Sequence, residues 1–182
     1  MKPHLYFIGI IPPEEVLHDI ENIKKEFSEN YHSRHALKSP AHITLQMPFK
    51  RKAEGEAPLK RFLEVFSQKF SPFEIELNGF GHFDKRVIFI KVIDNKTLGN
   101  LFNELKSGLL SEMNFTEKEL PQHFHPHVTV AHRDLSTEHF KIAWEHFQNR
   151  EFTAKFSATN VTLLKHNFKF WEVMKEFELK GN

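Results

Sequence analysis

The chain of 182 residues contains no cysteine. That absence excludes disulfides, thiolate metal sites and a cysteine nucleophile. Surplus charge is almost as scarce. Lys and Arg total 25 against 24 Asp and Glu, and a net charge of +1 exerts no global pull on polyanions. Nucleic-acid contact would need a local cluster; "FKRK" at Phe49 to Lys52 is one candidate, and a solvated turn is the plainer reading. The run "LYFIGII", Leu5 to Ile11, is too short to span a bilayer and is ended by Pro12 and Pro13. No small-residue cleavage site follows it, so it reads as a core strand and not a signal peptide. A soluble, cytoplasmic, monomeric protein with no membrane partner is expected. Walker A, GxSxG and HExxH patterns are also missing.

What the chain does have is apolar residues at 40%, charged residues at 27%, and 20 Phe against two each of Trp and Tyr. A folded domain with a Phe-packed core follows. Val16, Ile20, Ile23 and Phe27 recur at helical spacing after the first strand. "HITLQM" then alternates like a strand, Leu59, Phe62, Leu63, Phe66 and Phe70 mark a second helix, and "FEIEL" alternates again before a glycine-rich bend, "NGFGHF". The order repeats: strand "RVIFIKVI" (86–93), a helix on Leu98, Leu101, Phe102, Leu105 and Leu109, strand "HVTVA", a helix on Phe140, Ala143, Trp144 and Phe147, and a strand-like tail. The spacing predicts an α+β fold, bilobal, with two β-α-β-α-β halves. The lobes are read as built mainly from residues 1–83 and 84–182 of one unit, with the C-terminal strands free to complete either sheet.

The repeat extends to four letters. "HITL" begins at His42 and "HVTV" at His127, 85 positions apart. Side chains alternate across a strand, so His42 and Thr44 share one face, as do His127 and Thr129, with aliphatic residues behind. By composition, one His-apolar-Thr-apolar match is expected in roughly 0.1 of similar chains, and two in well under roughly 1%. The pair therefore reads as chemistry. A neutral histidine can take a proton from an attacking water or hydroxyl while a protonated one gives a proton to the leaving oxygen. Threonine hydroxyls can donate to non-bridging phosphate oxygens. Two imidazoles starting near pKa 6.5 put the expected pH optimum near neutrality.

These motifs resemble those of the 2H phosphoesterase superfamily, specifically its 2′-5′ RNA ligase and cyclic phosphodiesterase branch. "IPPEE" after the first strand, "LNGFGHF", "VIFIKV", "FHPHVTVAHR" and "FWEVMKEFEL" extend the similarity over nearly the whole chain. The resemblance implies pseudo-twofold lobes of mostly antiparallel sheet facing a central cleft. It implies a phosphoesterase without metal or cofactor, acting on a 2′,3′-cyclic phosphate or 2′-5′ linkage of an RNA end or nucleotide. It makes His42 the proton donor and His127 the acceptor, with Thr44 and Thr129 on the phosphate; the residues themselves leave those two roles interchangeable. Family members often carry an Arg shortly after the second motif. Here His132 stands at that place and Arg133 one later, and alternation would turn His132 away from the His127 face and bring Arg133 back as a phosphate ligand.

Other constellations compete. His123, His125 and His127 in "HFHPH" would share a strand face as in a metal site, but Pro126 argues for a loop. "GFG" at Gly79 to Gly81 is a fragment of a nucleotide-loop pattern, better read as a tight bend. Phe83, Phe124 or Trp171 could stack on a base, with core packing preferred. A non-catalytic RNA or nucleotide-binding module, and a hydrolase of a small non-RNA cyclic phosphate, are the alternative functions.

Overall fold

The computed structural model describes residues 2–181. β1 (His4–Ile10) is buried from Tyr6 onward, as a continuous apolar run demands of a central strand. After Pro12 and Pro13, α1 (Glu14–Asn30) opens with Glu14 and Glu15 in its first turn, where acidic groups favour the positive end of the helix dipole. Its buried stripe is Ile20, Ile23, Lys24 and Phe27. Then follow β2 (Ile43–Arg51), α2 (Glu56–Ser67), β3 (Phe73–Phe83), β4 (Val87–Val92), α3 (Lys96–Glu112), β5 (His127–Ala131), α4 (Thr137–Phe147), β6 (Thr153–Ala158), β7 (Asn160–His166) and β8 (Trp171–Glu178). Thirteen of the 20 Phe are buried, which makes the core the Phe-packed one expected.

The strands form one antiparallel sheet in the order β6-β3-β4-β5-β2-β1-β7-β8. It consists of two sets of four strands that meet at one residue pair, Ile43 with Val128. Exchanging the sets swaps β1 with β4 and β2 with β5, so the α+β fold has the predicted pseudo-twofold layout. α1 lies against β5 and α3 against β2, so the first helix of each half packs on the inner strand of the other.

Two expectations need correcting. A lobe boundary at 83/84 falls in the turn between β3 and β4, which pair along Leu77–Phe83, so β3 belongs with the second set. The tail, whose sequence leaves its place open, divides: β6 pairs with β3, while β7 and β8 complete the first set beside β1. "NGFGHF" is also no bend. β3 runs through it, and Gly79 absorbs a register shift between Leu77 and Phe80 at φ +66°, a bulge conformation that glycine adopts at little cost.

Gly9 marks a close approach beside His42. A Cβ there would stand 2.7 Å from the Ile43 carbonyl oxygen and 3.6 Å from the His42 ring. Gly9→Ala must push β1 from β2, an overpacking that costs about 1–3 kcal/mol. In a chain of this size that is a fall in Tm of roughly 2–4 °C per kcal/mol. A melting curve checks it, and an unchanged Tm would mean that the strands separate freely there.

Candidate active site

The antiparallel pair Ile43–Val128 sets the geometry. Counting outward, His42 stands opposite Thr129 and Thr44 opposite His127. Ile43, Leu45, Val128 and Val130 are buried in the core, and alternation turns the four polar residues, all half-buried, to the other face. The pseudo-twofold axis passes through this pair and exchanges one motif for the other.

The two rings are held alike. His42 Nδ1 lies 2.7 Å from the Pro40 carbonyl, and His127 Nδ1 lies 2.7 Å from the His125 carbonyl. A carbonyl only accepts, so each Nδ1 carries a donated proton and each Nε2 is left for chemistry. Each ring packs on a Phe of the neighbouring strand, Phe7 at 4.4 Å between centroids for His42 and Phe89 at 5.0 Å for His127.

A cavity of about 700 Å³ opens here, with His42, Thr44, Thr129 and Arg133 on its wall. His127 shares their strand face but not this wall. Lys24, His35, Lys38 and His132 join the lining, as do His166, Phe168, Lys169 and Trp171. Positive groups dominate it, and an anion is the ligand such a surface favours.

His132 corrects the alternation argument. β5 ends at Ala131 and the chain then turns, with Arg133 at φ +58°, so both His132 and Arg133 reach the cavity. Asp134 fixes that turn. Its carboxylate accepts from Ser33 Oγ at 3.0 Å and from the backbone N–H groups of Arg34 and His35 at 2.8 and 2.9 Å. His35 and His132 are thereby set ring to ring, 4.9 Å apart.

A second clamp orients His42. Lys24 Nζ donates to the Ser39 carbonyl at 2.7 Å and to Glu21 at 2.8 Å, and Glu21 accepts from Ala41 N–H at 2.8 Å. Pro40, whose carbonyl pins His42, is thus held from both sides. The sequence carried a signal for Lys24, a lysine on the apolar stripe between Ile20 and Phe27. Nothing local pointed to Asp134, whose partners lie 99–101 residues away.

Burial pushes the His42 pKa down to about 4, aided by the neighbouring Lys24, His127 and His132 and opposed by the Pro40 hydrogen bond. Burial also lowers His127, with His125 adding to the effect. His132 falls to about 4 and His35 is lowered, each through burial first, with the other ring or Arg133 nearby. Burial thus favours the neutral form of His35, His42 and His132 in the cavity wall.

The competing constellations resolve structurally. In "FKRK", Arg51 pairs with Glu119 at 2.7 Å and lies over the Phe115 ring at 3.9 Å, holding the far end of β2. His123 and His125 precede β5 in an irregular segment, and among the described residues no group of three or more His, Asp or Glu could hold a metal ion. Phe124 stacks on Phe102, and Phe83 packs against Phe89 and His127, whereas Trp171 lines the cavity. Among the described residues no helix is long and apolar enough to cross a membrane.

Known proteins share this layout. A family model described as the 2′-5′ RNA ligase superfamily matches residues 12–168. A Geobacillus kaustophilus protein with a provisional phosphoesterase name is 31% identical over 133 residues, 71% of this chain and 69% of its own. A similarly named Bacillus cytotoxicus protein is 30% identical over 136 residues, 73% of each chain. The fold matches the crystal structure of E. coli LigT complexed with 3′-AMP at a TM-score of 0.73 and 22% identity, covering 98% of this chain and 99% of that one. It matches TT0787 of Thermus thermophilus at 0.71 and 21%, with the same coverage. From the extent of the family match, and with the duplicated motif meeting at the centre of the sheet, the chain belongs to the 2′-5′ RNA ligase superfamily, within the 2H phosphoesterases.

Proposed function

We propose that this protein hydrolyses the 2′,3′-cyclic phosphate of RNA ends or nucleotides, with His42 and His127 as its acid–base pair. The observation that carries the reading is the Ile43–Val128 register, which sets two identically pinned imidazoles on one face. The phosphoesterase names of the relatives and the likeness to the 3′-AMP complex of LigT support it.

In this reading His127 Nε2 takes a proton from water as the water oxygen bonds to phosphorus. One ester P–O bond breaks, and His42 Nε2–H delivers a proton to the departing ribose oxygen. The product is a phosphomonoester, and the two histidines return to their starting states by proton exchange with solvent. Thr44 and Thr129 donate to the non-bridging oxygens, and Arg133 adds its charge to the phosphate. Both proton transfers come from side chains, so the step calls for no cation. Burial weakens the hold of His42 on its proton, so that once charged it gives the proton readily to the departing oxygen.

Opening of the cyclic phosphate of 2′,3′-cyclic AMP and of a cyclic-ended RNA to the phosphomonoester tests the proposal. Binding without turnover of either would replace it with the non-catalytic module.

The pH profile follows from the lowered pKa values. Catalysis needs one imidazole charged and the other neutral, which holds between the two macroscopic pKa values of the pair. Both groups lie below 6.5 in the free protein, so the bell of kcat/KM is expected on the acid side of 6.5 and not near neutrality. A bound phosphate anion favours the charged imidazole and raises both values, so the kcat optimum lies at higher pH. Initial rates from pH 2.5 to 9, a range that reaches below the His42 value of about 4, check this. A kcat/KM that is flat on its acid side would mean that no neutral histidine acts as base.

A further inference from the structure

The hairpin tip between β7 and β8 lies on the cavity wall beside the histidines, yet nothing in the chemistry above uses it. Phe168 there is 88% exposed in a chain that buries most of its Phe. Its backbone is in the left-handed region at φ +73°, a costly conformation for a bulky residue. The surrounding bonds hold it there. Asn167 Oδ1 accepts from the Lys169 and Phe170 N–H groups at 3.0 and 2.7 Å, Asn167 N–H donates to the Phe170 carbonyl at 2.9 Å, and Phe168 N–H donates to His166 Nδ1 at 3.2 Å. Strain maintained by so many bonds is characteristic of a working surface.

The tip is also joined to the site. His166 packs on Trp171 at 4.9 Å, Trp171 on Phe7 at 4.7 Å, and Phe7 on His42 at 4.4 Å. Trp171, half-buried, therefore stands near the histidines, while Phe168 lines the same cavity from its outer edge. Two aromatic positions at two depths suit a chain with two bases. The charge points the same way. Among the described residues, Lys38, Arg133 and Lys169 line the cavity without forming an ion pair, more positive charge than one phosphodiester neutralises.

We propose that the 167–170 tip is a platform for a second nucleotide upstream of the reacting end, so that the ligand is a single-stranded RNA end and not a mononucleotide. Phe168 stacks on the upstream base and Lys169 meets the phosphate between the two nucleotides. The inference rests on the reading of the cleft as a site for RNA cyclic phosphates and narrows it.

Affinity tests it without turnover. The probes are a 5′-labelled RNA hexanucleotide ending in a 3′-phosphate, followed by fluorescence anisotropy, and 3′-AMP as competitor. The hexanucleotide is expected to bind more tightly than 3′-AMP. Phe168→Ala removes one base stack and is expected to weaken the hexanucleotide by about 5- to 150-fold, so that its advantage over 3′-AMP collapses. Phe168→Trp restores it. Lys169→Gln lowers the slope of log affinity against log salt by about 0.7, the loss of one single-strand phosphate contact. Equal affinities of wild type for both probes, or an advantage that survives Phe168→Ala, would overturn the platform and leave the tip as a surface for some other macromolecule. Failure of the cleft's own reading shows separately, as wild type that does not turn over 2′,3′-cyclic AMP.

Discussion

Alanine at either His42 or His127 is expected to lower kcat by about 10² or more, since a positioned proton-transfer group typically contributes 10²–10⁴-fold. The two losses are comparable because the site is built symmetrically. Each ring is pinned by a carbonyl two residues upstream and backed by a Phe of the adjacent strand. The double variant loses little beyond the worse single one, because an acid without its base has no productive step to complete. Both histidines are half-buried on the polar face, so alanine leaves the Ile43–Val128 pair and the buried Leu45 and Val130 side chains in place and the variants fold. Single-turnover rates with 2′,3′-cyclic AMP measure the effect. Near wild-type turnover by either single variant would remove that residue from the chemistry.

The threonines carry the second large effect. Valine at 44 or 129 keeps the branched shape and the strand preference while deleting the hydroxyl donor. One hydrogen bond to a charged group is worth about 1.5–3 kcal/mol, or roughly 10- to 150-fold in kcat/KM. Each threonine stands opposite the histidine of the other motif, so the two substitutions are expected to cost similar amounts. Vanadate or inorganic phosphate binding should weaken in parallel, which separates lost phosphate contact from lost proton transfer. Full activity in both folded variants would show that neither hydroxyl touches the phosphate.

The site's centre was legible because it is written in strand periodicity. His42 and Thr44 face the same way by alternation alone, and the duplication at 85 residues supplied the second set. The helices were legible for a similar reason, with Ile20, Ile23 and Phe27 at helical spacing. What escaped depends on contacts that no local pattern encodes. The pairing of β3 with β4 and β6 crosses the apparent repeat boundary, because a hairpin turn at Asp84 outweighs the sequence duplication. His132 escaped because alternation stops at Ala131, where Asp134 ties the loop to Ser33 and His35. Phe168 was invisible because an exposed Phe and a buried one look alike in a chain with 20 of them.

The placement of β7 between β1 and β8 has a consequence for biogenesis. β1 leaves the ribosome long before β7, so one of its edges stays unpaired until residues 160–166 have been made. The half-sheet that carries His42 therefore closes last, whereas β3, β4, β5 and β6 can assemble once residue 158 is out. During that interval β1, apolar on both faces, presents an open edge of the kind that invites pairing with other chains. A nascent chain stalled before residue 160 is accordingly a stronger chaperone client than the finished protein, and its cleft is still unbuilt on the side that bears the aromatic ladder to His42.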